Sequence, residues 1–547
     1  MTSSATVDQQ DGPSLARASG SMAIATLASR ITGFLAKILL AWLVGLSANS
    51  ILDSYTVANN APNIIYEFLL GGVLTSVIVP LLVRAKHEDA DGGEAYTQRL
   101  LTVALTALTG LTVVVVAAAP LLTVLFVDNT NGRANTALVT AFEYLLLPQI
   151  VFYGLFAMVG AVLNTRNVFA PPAWAPVLNN LVMLATIGVY YVLPGDIATN
   201  PVQLGDVKLL VLGLGTTLGI MVQAVVLIPP LLRSGFRPRW RWGWDSRLKE
   251  FGGLALWVIG YVAVSQVGLT TISRVATATA PGNFAIYTNT WLLVQMPYGV
   301  LGVSLLTAIM PRMSKAAAGN DIPAVLDDLS LGSRMSAVML APVSGLITVL
   351  GPAVGAALFA VGKSGGSDAG RLGLAITASA FGLLPYALTM LQMRVFYALK
   401  DARTPTLINV IMIAVKVPVC LLAGSVLPPQ DVVFGLTFSD AISFTVGMIA
   451  GELWLRARLG RLGSRRVVRT YVKVGVAAVW GAAVALGVEL GVGKILPGGL
   501  NGIGAWISLV VGGILGLLAA FGMMAVVRVH ELRPALDRVG RLVKRAA

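Results

Sequence analysis

Cysteine occurs once in the 547 residues and histidine twice, so neither a disulfide framework nor a Cys/His metal cluster can be assembled. The single Cys420 lies in an apolar run, and His87 and His530 are far apart in the chain. Charge is scarce as well, at 12% of residues, with 25 acidic against 39 basic side chains and a net charge of +14. The basic excess sits in short loops rather than in a patch interleaved with aromatics, which argues against a nucleic-acid partner. No paired nucleophile and base, and no metal-ligand set, falls within the apolar runs, so the pattern is not that of an enzyme. The first twenty residues are polar and lack a cleavable apolar core. They read as a disordered cytoplasmic tail rather than a signal peptide.

What the chain has instead is apolar length. Hydrophobic residues make up 56% of it, in recurring runs of about twenty or more, each long enough to span a bilayer. The runs predict an all-α polytopic membrane protein with fourteen transmembrane helices, near 21–45, 54–83, 97–126, 136–163, 173–194, 207–232, 249–278, 283–310, 328–360, 371–399, 405–427, 431–455, 469–491 and 501–528. Arg84, Lys86, Arg99, Arg166, the Arg233 to Lys249 loop, Arg312, Lys315, Lys400, Arg403 and the Arg456 to Arg469 run all fall on one side of that topology. The opposite loops hold scattered charges such as Arg133, Asp196, Lys363 and Asp368. The positive-inside rule then places both termini in the cytoplasm. Arg237, Arg239 and Arg241 alternate with Trp240, Trp242 and Trp244 ahead of a helix-like Ser246 to Glu250, a composition suited to anchoring at headgroup level on anionic membrane lipids.

A faint internal repeat organises the spans. Gly71 with Pro80 corresponds to Gly302 with Pro311, and Leu163-Asn164-Thr165-Arg166 leading to Pro171 corresponds to Leu399 through Arg403 leading to Pro405. Both offsets are six spans, which predicts two parallel six-helix lobes plus two C-terminal helices. The expected organisation is a tail at 1–20, an N-terminal lobe at 21–233, an interfacial linker at 234–248 and a C-terminal lobe at 249–455. Two further spans occupy 469–528, and a basic tail follows at 529–547.

Polar residues inside the spans carry the functional reading. Arg30 and Lys37, seven apart, share a helical face with Thr26 and Gly33, and cations at such depth mark either an anion site or side chains that snorkel to the interface. Span two carries Asn60, Asn63 and Glu67 around Pro62; span seven carries Gln266, Thr270 and Arg274; span eight carries Asn289, Gln295 and Pro297. Converging, these stripes would form a cationic cavity lined by Arg30, Lys37, Asn63, Glu67, Arg274 and Gln295. The plain alternative for the amides is hydrogen bonding between helices. Lys416 and Asp440, in adjacent spans, read as an intramembrane ion pair, either structural or in place of an ion site. Arg334, Arg394 and Glu452, nearer cytoplasmic ends, read as gate or packing residues.

The chain resembles the bacterial lipid II flippase family, the MurJ/MviN type within the polysaccharide and multidrug exporter superfamily. The matching stretches are Ser29-Arg30-x-x-Gly33-Phe34, Asp53 followed by Pro62-Asn63, Gly160-Ala161-x-Leu163-Asn164-Thr165 with Phe169, Pro172, Pro176 and Asn179, Gly299 through Val303 to Pro311, and Phe396-Tyr397-Ala398-x-x-Asp401-x-Arg403-Thr404-Pro405. The resemblance implies a two-lobed transporter that carries undecaprenyl-linked peptidoglycan precursor from the inner to the outer leaflet of the bacterial plasma membrane by alternating access. It makes Ser29, Asp53, Pro62, Arg394, Asp401 and Arg403 gating or structural positions and the last two helices a groove for the lipid tail. Cell-wall synthesis proteins become candidate partners, and no cofactor is expected. Departures are informative. Ala36, Tyr66 and Leu292 stand where the family has arginines, with Lys37 and Arg274 as apparent replacements. Ile272 and Lys416 stand where some members have an acid and an asparagine as sodium ligands, which disfavours sodium and leaves membrane potential or a proton as the drive. The alternatives are an exporter of another lipid-linked oligosaccharide and a non-transporting cell-wall assembly scaffold. A drug exporter fits less well, because cationic drugs call for acids.

Overall fold

The computed structural model describes residues 12–47, 50–67, 78–243, 252–399, 401–460, 464–496 and 502–532. Regular structure among these residues is helical, and the protein is an all-α polytopic membrane protein. Eleven helices are long and apolar enough to cross a bilayer, and two bent pairs bring the number to thirteen if each is one span. Fourteen were expected; the second, 54–83, runs across 68–77, outside the described residues. Both bends have the same cause. The pair Asn283–Leu306 and Ile309–Ala318 bends by 46°, and the pair Gly366–Ala380 and Leu383–Ala398 by 49°. Pro311 and Pro385 each lie four residues beyond the break, so the carbonyls of Thr307 and Phe381 have no N–H to accept from.

The first helix, Gly12–Val44, corrects the expected tail, since residues 12–20 belong to it and only 1–11 lie outside the described residues. Pro13 in the first turn and the Leu15-Ala16-Arg17-Ala18 run favour helix there, which the polar flanks concealed.

The chain divides into two compact units. The first comprises 1–40, 58–122 and 137–256. Its core gathers Leu81, Phe156, Leu163, Leu231 and Phe236. The loop that follows helix Ile228–Arg233 is pinned at several points: Phe236 is fully buried beneath the Arg166 guanidinium at 5.3 Å, and Arg166 donates to the carbonyl of Ser234 at 2.9 Å. Gln98 donates to the carbonyl of Arg237, and the Arg241 N–H donates to the Thr102 hydroxyl. Trp240 and Trp242 are therefore left pointing outward, 71% and 69% exposed. Trp244 and the expected helix at Ser246 to Glu250 lie outside the described residues.

The second unit comprises 41–57, 123–136 and 257–547. It includes two stretches of the N-terminal half, whereas the expected lobes divided the chain at 234–248. Helix Ile322–Phe359 is its axis, packing on Gly366–Ala380, Val303–Ala318, Leu383–Ala398 and Ser464–Ile495. Helices close in here through small residues, as expected where hydrocarbon surrounds the bundle and only packing separates one arrangement from another. A Cβ at Gly355 would overlap the carbonyl oxygen of Ala369, and one at Gly373 would sit 2.7 Å from Pro352 Cα. The last two helices pair in the same manner, Gly481 against Gly516 and Ala485 against Gly512.

Gly355→Leu should lower the unfolding midpoint in detergent, by an amount equivalent to about 1–3 kcal/mol or more, because backbone must move to admit it. Gly370→Leu, on the same pair of helices but facing open space, should stay within about 0.5 kcal/mol. Equal midpoints for the two variants would show that the close approach is not the constraint.

Candidate functional site

In the first unit, Arg30 and Lys37 are exposed on helix Gly12–Val44, while Ala36 between them is 5% exposed. Neither cation has an ion-pair partner among the described residues. Gly33 lies at the edge of this face, with its backbone against Asn180. Asn180 donates to the Ser29 carbonyl at 2.7 Å and to the Thr32 hydroxyl at 3.1 Å, which fixes the rotation of the helix and keeps Arg30 and Lys37 outward. Asn63 is engaged on both sides of its amide: it donates to the Asn59 carbonyl and accepts from Tyr153, whose ring lies 4.4 Å from that of Tyr66. Pro62 is buried within helix Ile51–Glu67. The side chain of Glu67 lies outside the described residues.

In the second unit, the 41–57 stretch is held by a dense set of bonds. The buried Asp53 carboxylate accepts from the backbone N–H groups of Gly282, at 2.5 Å, and Ala285, at 2.7 Å, and so caps helix Asn283–Pro297 where its positive dipole end emerges. Gly282, at φ 85°, makes the turn that presents these donors, and a side chain there would strike Leu46 and Ser47. Ser47 donates to Asp368 at 2.5 Å, Asp368 pairs with Arg371, and Arg371 donates to Asn283 and to the Gln430 carbonyl. Trp42 donates to the Leu358 carbonyl at 2.6 Å, and Ser364 donates to the carbonyl of Ala41. The family resemblance pointed to Asp53, but nothing in the sequence reading pointed to Ser47 or Arg371, and Asp368 was read only as a scattered loop charge. Asp368 and Arg371, three apart on one helix face, were the available signal.

Arg274 differs from its expected place in a cationic cavity. Its guanidinium donates to the carbonyls of Val124 and Leu125 and pairs with Asp128 at 3.3 Å, all within the second unit. Those carbonyls end helix Ala119–Phe126, so the arginine answers a helix C-terminus as well as a carboxylate. The Thr130 N–H and hydroxyl, followed by the Arg274 charge, hold the Asp128 carboxyl below its ordinary range.

Deep in the second unit, Lys416 Nζ lies 2.5 Å from Asp440 Oδ1, and Tyr287 donates to Oδ2 at 2.8 Å. Both carboxylate oxygens are thus met, and the buried acid has a cation and a hydroxyl rather than a cation alone. Tyr287 was not predicted. Its signal was position: it lies in the first turns of the helix that Asp53 caps. Asp440 also lines a small cavity with Gln295, Trp291, Tyr386 and Phe444. Gln295 donates to the Tyr386 hydroxyl at 3.3 Å, and Trp291 stacks on Phe444 with ring centroids 5.4 Å apart. Ile272, at one expected sodium-ligand position, is fully buried.

Toward the other end of this unit, Asp401 accepts from the N–H and hydroxyl of Thr404, at the start of helix Arg403–Val426, and pairs with Arg458. Burial pushes its carboxyl up, and the Thr404 bonds together with the Arg458 charge outweigh this, leaving it below the usual range. Arg403 is exposed over the Trp257 ring at 5.8 Å, and Arg394 is exposed.

The model of the lipid II flippase MurJ family matches residues 44–501. A lipid II flippase MurJ of Burkholderia cenocepacia is 28% identical over 444 residues, 79% of this chain and 82% of its own. Probable lipid II flippases MurJ of Vibrio cholerae and Haemophilus influenzae are each 26% identical, covering 71% and 83% of this chain and 73% and 90% of theirs. A solved structure described as lipid II flippase MurJ in an inward closed conformation matches with a TM-score of 0.71 at 17% identity, over 94% of this chain and 99% of its own. An inward-facing multidrug resistance transporter of the MATE family matches at 0.61 and 15%, over 81% of this chain and 99% of its own. At these identities the two structures speak for the fold.

Lys416→Met or Asp440→Leu alone should each cost about 3–5 kcal/mol, because each strands its partner's charge, and the double variant should recover most of that. Tyr287→Phe should cost about 1–3 kcal/mol in the parent and much less once Asp440 is leucine. Thermal unfolding of the set in detergent tests this. Additive losses would mean that the three side chains act independently.

Proposed function

Because the chain belongs to the lipid II flippase MurJ family, we propose that it carries lipid II, the undecaprenyl-pyrophosphate-linked peptidoglycan precursor, from the inner to the outer leaflet of the bacterial plasma membrane. The observation that supports this most directly, beside the family match, is the pair of exposed cations on the first helix, Arg30 and Lys37. A charge at bilayer depth that is not answered within the protein needs water or an anion, and a diphosphate between two cations meets that need. Asn63 and Glu67, on the following helix, complete the polar lining in this reading.

Transport is by alternating access. The bonds that Asp53, Ser47, Asp368 and Arg371 make are those that opening on their side has to break, and Asp53 is exchangeable with water at little cost because its partners are backbone donors at a helix end. The Asp401 and Arg458 pair holds the opposite end. Lys416 stands in for a coupling cation, so sodium is not the drive, and no cofactor takes part. The protein is a transporter and not an enzyme. Both termini are cytoplasmic, and Trp240 and Trp242 anchor the loop after residue 233 at the headgroups of anionic lipids. Spans 469–528 hold the lipid tail, and cell-wall synthesis proteins receive the product.

Two experiments test this reading. Single cysteines in the 195–205 and 363–370 loops should react with a membrane-impermeant reagent in intact cells, and cysteines in 235–243 should not; the reverse pattern would overturn the orientation. Expression in a bacterium depleted of its own flippase should restore growth and the exposure of lipid II on the outer leaflet. Arg30→Ala with Lys37→Ala should reduce that exposure about tenfold or more at equal membrane abundance, an order set by losing charge-assisted contacts to a diphosphate. Undiminished exposure with the double variant would remove the site.

A further inference from the structure

Within the second unit a cavity of about 300 Å³ opens between helices Ile322–Phe359, Leu383–Ala398, Val432–Leu459 and Ser464–Ile495. It lies apart from Lys416 and Asp440, and from the seam in which Gly481 and Ala485 meet the last helix. Leu329, Leu388 and Met448 form its walls, and Ile449, Leu453 and Val468, each more than half exposed, form its rim. An apolar rim of that kind faces hydrocarbon, and a void of this size with such walls does not stay empty where lipid chains can reach it.

Ser330, Ser333 and Tyr471 also line the cavity, and it carries one charged pair. Glu452 and Arg456 pair at 3.0 Å in the cavity lining, about two turns and one turn before helix Val432–Leu459 ends. Gln392, 6% exposed, lies in the same wall, and its Oε1 has no hydrogen-bond partner. Gly451 covers that oxygen, since a Cβ there would overlap it, so Gln392 packs helix Leu383–Ala398 against helix Val432–Leu459. On the neighbouring helix, Arg465, Arg466 and Arg469 are exposed and flank the lining residues Val467 and Val468. The cavity therefore offers the Arg456 guanidinium for a phosphate, with three further exposed arginines on the neighbouring helix, while Leu329, Leu388 and Met448 line the part suited to hydrocarbon.

We propose that this cavity binds an anionic phospholipid of the adjacent leaflet, one acyl chain inside and its phosphate on Arg456 and the Arg465 to Arg469 turn. A phosphatidylglycerol has both the chain and the net negative charge; a phosphatidylcholine lacks the net charge. The site is a second lipid site, separate from substrate transport, and its occupancy does not depend on the cations Arg30 and Lys37.

The full-length protein, delipidated in detergent, is titrated with dioleoyl phosphatidylglycerol or dioleoyl phosphatidylcholine and followed by native mass spectrometry and by thermal unfolding. One phosphatidylglycerol should be retained per chain, with a preference of roughly tenfold or more over phosphatidylcholine. Val468→Trp, which fills the mouth from the exposed rim and leaves the packed core untouched, should abolish retention, and Ile449→Trp should do the same. Arg456→Gln with Arg466→Gln should reduce the preference to near unity while weak binding of both lipids persists. Equal retention of the two lipids by the parent protein would overturn the proposal. So would undiminished retention in both tryptophan variants.

Discussion

Hydrocarbon supplies no hydrogen bonds, so each charge or hydroxyl carried into the bilayer has to be answered from within the chain or from its cargo. The answers found here are economical. Thr32, Thr102, Thr112, Thr186 and Thr277 return their hydroxyls to carbonyls one turn back on the same helix. Asp440 takes a lysine on one oxygen and a tyrosine on the other. Asp53 takes two N–H groups that the start of a helix leaves unused. Against that background Arg30 and Lys37 stand out, because the helix bearing them is fixed in rotation by Asn180 and yet leaves both cations exposed. Exposure that packing enforces is a stronger indication of a site than charge alone.

The same solvent explains why glycine counts for so much. Helices in lipid gain little by hiding apolar surface from one another, so their association rests on close approach and on the contacts it permits. Gly355 against Ala369 and Gly373 against Pro352 bring backbone to backbone, and Gly481 with Gly516 repeats this in the last helix pair. Large side chains are correspondingly free to face outward, and Trp240, Trp242, Leu453 and Val468 do so without making the protein aggregation-prone in its own solvent.

Much of the architecture was legible in the sequence because the bilayer imposes length and polarity in one dimension. Span positions followed from apolar runs, but the bends at Pro311 and Pro385 were not anticipated. The count was not settled the same way, since thirteen spans require each bent pair to be read as one and the stretch around Gly71 lies beyond the described residues. The extent of the first helix was misjudged because polar flanks mask helix-forming residues such as Leu15 and Ala16. Site residues divided according to range. Lys416 and Asp440, in consecutive spans, could be paired on energetic grounds. Arg274 could not be assigned to Asp128, nor Ser47 to Asp368, because nothing in the spacing of residues 146 or 321 apart encodes their approach. Those contacts come from the 41–57 and 123–136 stretches joining the second unit, a tertiary fact with no local signal.

A lysine at 416 has a consequence for energetics. A sodium ion that binds and leaves can transfer the free energy of its gradient, because the occupied and empty sites favour different conformations. An ammonium on a lysine stem cannot leave, and with Asp440 and Tyr287 closed around it the local charge is the same at every stage unless the pair itself separates. Separation would strand a lysine and an aspartate in hydrocarbon, a cost of several kcal/mol that no bound ion would compensate. The pair therefore behaves as a fixed strut between helices Arg403–Val426 and Val432–Leu459. On the proposed function, Arg30 and Lys37 are charges that can respond to an arriving diphosphate or to the membrane potential, which acts at about 2.3 kcal/mol per charge for each 100 mV traversed. A reading in which cargo binding itself pulls the cycle forward needs no ion site, and the residues at 272 and 416 are consistent with the loss of one.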